Sequence, residues 1–159
     1  MMSIQSVTVI GLLMLLAAPI LAQSDSHPEY AGTWKLNYKR GNYRPKNEVP
    51  QTVDVTVSGP TIEFRLEQEG KTLSDRKYTV DGNQHPLPES ADSRSYYTAE
   101  WKGGKDDVLE IESYLATRVD SDYLYHSTIT WNLSPNRRVL VYRLVAPGLN
   151  TAMKVYDKQ

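Results

Sequence analysis

Arg143, Lys154 and Tyr156, close to the C-terminus, are the side chains of this sequence best suited to hold an anion. Two cations and a phenol on one face would bind a carboxylate or phosphate through charge-assisted hydrogen bonds. Other chemistry-bearing residues are less well disposed. Glu110 and Glu112 share a strand face, as an acid–base pair could, but they alternate with Leu109 and Ile111 as a solvated strand face does. His27, His85 and His126 have no spacing that supplies convergent metal ligands and read as solvated histidines. The chain has no cysteine, nucleophile elbow or phosphate-cradling glycine loop, so no catalytic residue, metal or other cofactor is assigned. Asn132-Leu133-Ser134 matches a glycosylation sequon, but Pro135 follows it. Eleven tyrosines beside one phenylalanine suit an amphipathic wall, whose rings pack across strands while hydroxyls meet the polar end of a ligand.

The elements that must position these residues are strands. Alternation with period two recurs along the chain, as in Val53, Val55 and Val57 against Thr52, Asp54 and Thr56, or Ile62, Phe64 and Leu66 against Glu63, Arg65 and Glu67. Strands are expected at about 32–38, 52–57, 61–67, 76–80, 94–101, 108–116, 123–133, 138–146 and 151–156. Turn chemistry at Ser58-Gly59-Pro60, Glu69-Gly70, Asp81-Gly82-Asn83, Gly103-Gly104, Asp120-Ser121, Pro135-Asn136 and Pro147-Gly148 separates them. Sequential hairpins without helical crossovers predict an all-β, up-and-down antiparallel barrel of about eight to ten strands, because closure removes exposed edges. A two-sheet β-sandwich is the alternative.

Hairpin register then decides which residues face inward, and two registers compete. A four-residue loop over 147–150 sets Ala146 opposite Thr151 and therefore Arg143 opposite Lys154, with Val141 opposite Tyr156. Like charges so paired need water or a bridging anion, which makes Arg143, Lys154 and Tyr156 an anion cradle. In the preceding hairpin, a turn over 134–137 sets Leu133 opposite Arg138. It gathers Tyr123, Tyr125, Ile129, Trp131, Leu140, Tyr142 and Leu144 on the more apolar face, together with Met153 and Val155. Arg143 then shares the other face with His126, Thr128, Thr130 and Asn132. The apolar set, with Tyr125, Ile129, Trp131, Leu140, Tyr142 and Leu144 as the candidate ligand-binding wall, is the favoured interior, and one bulge would reverse the parity.

Residues 1–22 carry no charged side chain, and the apolar run Val7 to Ala22 ends in small residues. This reads as a signal peptide cleaved before Gln23, since the run is short for a membrane helix. A disordered leader over 23–29 and one domain over 30–159 follow. The product is expected to be secreted or periplasmic without stable membrane insertion. A net charge of −1 recommends no nucleic acid or anionic surface as partner.

Gly32-Thr33-Trp34, followed by Lys35-Leu36-Asn37, resembles the first strand of the calycins, the lipocalin and fatty-acid-binding-protein superfamily. The closing "MKVYDKQ" is similar to the last strand of the fatty-acid-binding proteins, with Lys154 where they carry an arginine. The whole pattern looks like that of small exported bacterial lipocalin-like proteins of unassigned function. The resemblance implies a barrel whose closed end is packed by the Trp34 indole, but residues 40–50 are too rich in Pro, Gly and Asn for the helical lid of the fatty-acid-binding proteins. Together these readings predict an exported, non-enzymatic binding protein that holds a small lipophilic or amphipathic molecule. The alternative is an interaction module whose own side chains fill the barrel.

Overall fold

The computed structural model describes residues 27–42, 51–88, 90–103, 108–116 and 124–159. The expected signal peptide, residues 23–26 of the leader, and Tyr123 lie outside them. The alternating segments form ten strands: β1 Gly32–Leu36, β2 Gln51–Ser58, β3 Thr61–Gln68, β4 Lys71–Thr79, β5 His85–Pro86, β6 Tyr96–Lys102, β7 Val108–Ala116, β8 Leu124–Leu133, β9 Val139–Val145 and β10 Ala152–Lys158. They build a single antiparallel sheet in the order β4-β3-β2-β1-β10-β9-β8-β7-β6-β5. Apart from β4 and β5, which stand at the two ends of this order, every strand lies beside its sequence neighbours, and the first also pairs with the last, Trp34 opposite Lys158 and Leu36 opposite Tyr156. The sheet therefore curls into a calycin-like up-and-down barrel, which excludes the two-sheet sandwich. At the seam between β4 and β6, Tyr97 Oη accepts from Thr79 N at 3.1 Å and Ala99 O accepts from Gly82 N at 2.9 Å.

One end is packed shut. The Trp34 indole is fully buried and donates Nε1–H to Tyr30 O at 3.0 Å, while fully buried Tyr30 donates its hydroxyl to Trp131 O at 3.1 Å. Residues 27–29, expected in the disordered leader, are instead ordered. Pro28–Tyr30 is a 3-10 turn, and the His27 ring lies 4.1 Å from that of Trp101. Proline pre-sets the backbone for such a turn, and the Tyr30 ring has no comparable apolar alternative in water.

Two registers differ from those read off the sequence, each for a reason in its turn, and a bulge within a strand makes a third change. Between β8 and β9, Leu133 stands opposite Leu140 rather than Arg138, and Trp131 opposite Tyr142. Arg137 takes a left-handed φ of 56°, and the Ser134 hydroxyl accepts from Val139 N at 3.0 Å, so side-chain bonds sustain a turn two residues longer. An even shift preserves parity. Between β9 and β10 the loop, with Gly148 at φ 74°, is one residue longer than expected. Leu144 faces Ala152, Arg143 faces Met153, and Lys154 faces Tyr142. An odd shift reverses parity, bringing Lys154 and Tyr156 onto the inner face and moving Met153 and Val155 to the outer one.

The third change is a β-bulge opposite Leu66/Glu67. Thr72 pairs with Glu67 and Ser74 with Leu66, leaving Leu73 as the extra residue. An unbulged hairpin would turn Leu73, Asp75 and Lys77 inward; the bulge instead admits Ser74, Arg76 and Tyr78. Burying two opposite charges away from water costs more than exposing one leucine, and Leu73 is 53% exposed while Tyr78 is buried. This also explains why β4 begins at Lys71 and not at the expected 76: the bulge breaks the alternation of a strand that the Glu69-Gly70 turn pairs from its start.

Candidate functional site

Inside the barrel, the Phe64 and Trp131 rings stack across the lumen at 4.4 Å and 10°, and Tyr142 meets Trp131 edge-on at 4.9 Å. Beyond this aromatic floor is a cavity of about 220 Å³. Leu66, Ile129 and Tyr156 complete its apolar wall; Ser74, Arg76 and Lys154 supply the polar part. No carboxylate occurs among the described residues that line it.

Lys154 is half-buried on the inner face, with Nζ 5.7 Å from the centre of the Tyr142 ring. Withdrawal from water pushes its pKa below the ordinary lysine value. Burial raises the pKa of the Tyr142 phenol, an effect opposed by the charge of Arg76. Arg76 itself is exposed at the cavity mouth. With Tyr78 it also lines a smaller recess of about 180 Å³ at the seam, beside Leu87 and Ser113. One cation thus lies within the wall and a second at the rim, around a phenol that remains protonated at neutral pH.

Of the six expected wall residues, Ile129, Trp131 and Tyr142 line this cavity. Leu140 is fully buried nearer the closed end, opposite Leu133 and Tyr156. Leu144 packs against the core, and Tyr125 keeps the inward parity but donates its hydroxyl to Pro147 O at 3.2 Å at the rim. The cradle of Arg143, Lys154 and Tyr156 is not assembled. Arg143 alternates with inward Tyr142 and Leu144 and so points outward, where with Arg40 it lines an open depression of about 880 Å³ across β8 and β9; the longer β9–β10 loop brings only Lys154 and Tyr156 inward. That depression is larger, but its floor is valine and polar strand surface, whereas the inner cavity alone combines buried aromatic rings with a desolvated cation.

The sequence reading missed Arg76. Its signal is the alternation Ser74, Arg76, Tyr78, which has meaning only once the bulge at Leu73 is known.

The remaining candidates sit outside the cavity. Glu110 is 3.4 Å from Lys102, and Glu112 accepts from the Tyr114 hydroxyl at 3.2 Å, both on the outer face. Each histidine is packed on an aromatic ring rather than merely solvated: His27 on Trp101, His85 on Tyr97 at 5.3 Å, and His126 on Tyr114 at 4.6 Å. No metal-binding group of three or more His, Asp or Glu side chains comes together among the described residues.

No protein family model and no curated protein matches the chain. Solved structures share its fold. The lipid binding protein 8 of Caenorhabditis elegans is 13% identical over 82% of this chain and 96% of its own, with a TM-score of 0.56. The Schistosoma mansoni fatty acid binding protein, solved in complex with arachidonic acid, is 16% identical over 87% and 99%, with a TM-score of 0.55. The brain fatty acid-binding protein of Drosophila melanogaster is 20% identical over 80% and 98%, with a TM-score of 0.52. At these identities the likeness is one of fold.

Proposed function

We propose that this chain is an exported, non-enzymatic carrier whose barrel holds one small lipophilic molecule with an acidic or polar head. The observation that carries the reading is the inner cavity: an aromatic floor, apolar walls, and Lys154 with Ser74 and Arg76 as its polar part. An anion bound there would compensate the charge of Lys154, whose burial otherwise disfavours protonation. Shared fold with proteins named for fatty acids supports the cargo class. At about 220 Å³ the space is below the usual range for drug-sized ligands of roughly 300 Å³ and more. It suits a short molecule, or the head of a longer one whose tail leaves through the mouth. The apolar run ending at Ala22 supports export to the periplasm or beyond, as does the resemblance to small exported lipocalin-like proteins.

Titration with cis-parinaric acid tests the reading. Saturable one-to-one binding is expected, weakened about tenfold by Lys154→Gln, which corresponds to about 1.4 kcal/mol. Arg76→Gln should weaken it less because that guanidinium is exposed, and Arg143→Gln should leave it unchanged. The degree to which Phe64, Trp131 and Tyr30 fill the lumen favours a second reading, a packed interaction module. Absence of binding by the unmutated protein to cis-parinaric acid and to shorter acids would establish that reading instead.

A further inference from the structure

We propose that Lys154 is a covalent site for lipophilic aldehydes, its amine condensing with the carbonyl of a molecule seated in the inner cavity to form an imine. The proposal rests on the carrier reading of that cavity and names a second class of cargo for it.

Clamping a carboxylate alone is best served by arginine, whose planar guanidinium bonds it in a bidentate manner and never gives up its proton. Lysine is the cation that can become a nucleophile, and does so when taken out of water. Lys154 meets that requirement through its register. The odd-length β9–β10 loop turns it inward opposite Tyr142, into a cavity walled by Phe64, Leu66, Ile129 and Trp131. The same walls that shield an aldehyde's tail desolvate the amine and lower its pKa. Arg76 at the mouth adds positive charge to the same site without competing as a nucleophile.

The chemistry balances without any further reactant. The Lys154 nitrogen lone pair attacks the carbonyl carbon, and the carbonyl oxygen takes up a proton, giving a carbinolamine. Its hydroxyl then leaves as water with a proton from a neighbouring acid, and the nitrogen lone pair closes the C=N bond. One water is released per imine and nothing is oxidised or reduced. Water at the cavity mouth supplies and recovers that proton, while the Tyr142 ring, its centre 5.7 Å from Lys154 Nζ, walls the amine. Water readmitted to the cavity reverses the reaction, so capture is reversible.

The full chain is incubated at neutral pH with trans-cinnamaldehyde and sodium cyanoborohydride, and the reduced adduct is located by intact mass and peptide mapping. A single adduct on Lys154 is expected, formed about tenfold or more faster than on the exposed lysines Lys35, Lys39 and Lys71, because the cavity holds the aldehyde carbonyl beside this amine. Excess cinnamate, the unreactive acid of the same shape, should block it. Lys154→Gln and Lys154→Arg should both abolish it, with Lys154→Arg retaining the circular dichroism spectrum. Adducts spread over the exposed lysines, or unchanged in Lys154→Arg, would overturn the aldehyde site while displacement of cis-parinarate by cinnamate left the carrier reading intact. If neither acid binds and no Lys154 adduct forms, both readings fail.

Discussion

A protonated amine within an apolar wall costs stability, and that cost depends on pH in a way that isolates Lys154. Its folded pKa is lowered by desolvation from the ordinary 10.5. Between the lowered value and 10.5, the unfolded chain therefore binds more protons than the folded one. Stability must rise with pH across that window, and the penalty is full below the folded pKa and gone above the unfolded one. Lys154→Met should thus be more stable than the unmutated protein in urea at neutral pH, with the gap closing near pH 10.5. A gap that is constant with pH would mean the amine is solvated when the protein is folded. Gly41 provides the opposite case, a residue with no tolerated replacement. At φ 76°, a Cβ built on it would lie 2.5 Å from Met153 O, a backbone atom that cannot yield without breaking the contact of residues 37–42 with β10. Gly41→Ala should destabilise by about 1–3 kcal/mol, as other residues forced into sparsely populated backbone regions do.

At the scale of elements, the bulge in β4 and the loop before β10 each displace parity by one residue, and each places one cation at the cavity. The bulge is dispensable in a specific sense. Because Thr72 pairs with Glu67 and Ser74 with Leu66, deleting Leu73 restores a regular ladder and leaves Arg76 opposite Phe64. The deletion should therefore change stability by less than about 1 kcal/mol and leave cis-parinaric acid affinity unaltered, as loss of an exposed residue outside any special contact does. Loss of binding in this variant would show that Leu73 itself shapes the mouth. The closed end has no such slack. Trp34 is fully buried and its indole nitrogen is bonded to Tyr30 O, so Trp34→Ala should cost about 3–5 kcal/mol in urea unfolding.

For the molecule as a whole, the pairing of β1 with β10 turns a meander into a barrel. It joins Trp34 to Lys158 and Leu36 to Tyr156 across nearly the full described chain. Such distant pairing incurs loop-closure entropy before it yields contacts, so folding in the millisecond-to-second range is expected of this topology. A chain ending at Asn150 would lose β10 and expose facing edges on β1 and β9; it should show no cooperative thermal transition and should associate through those edges. A cooperative, monomeric truncation would show that the rest of the sheet closes without its last strand.

Alternating valines, isoleucines and aromatics, punctuated by Gly, Pro and Asn turns, determined the all-β class, most strand positions and the barrel. They could do so because side-chain direction within one strand depends only on local backbone geometry. The inner face of β8 and β9 was legible for the same reason: Ile129, Trp131, Leu140 and Tyr142 keep their parity under the two-residue shift of their hairpin. Which cations face the lumen was not legible. Inward direction in β4 and β10 depends on whether a loop or strand holds an odd or even number of residues, and the bulge at Leu73 and the longer loop around Gly148 are chosen by energies summed over whole strands. Burying Tyr78 while sparing Asp75 and Lys77, and burying Tyr156 beside Leu140, outweighs the shorter turns that residue types alone suggest. Only the tertiary structure could therefore bring Arg76 to the mouth and set Lys154 among aromatic rings.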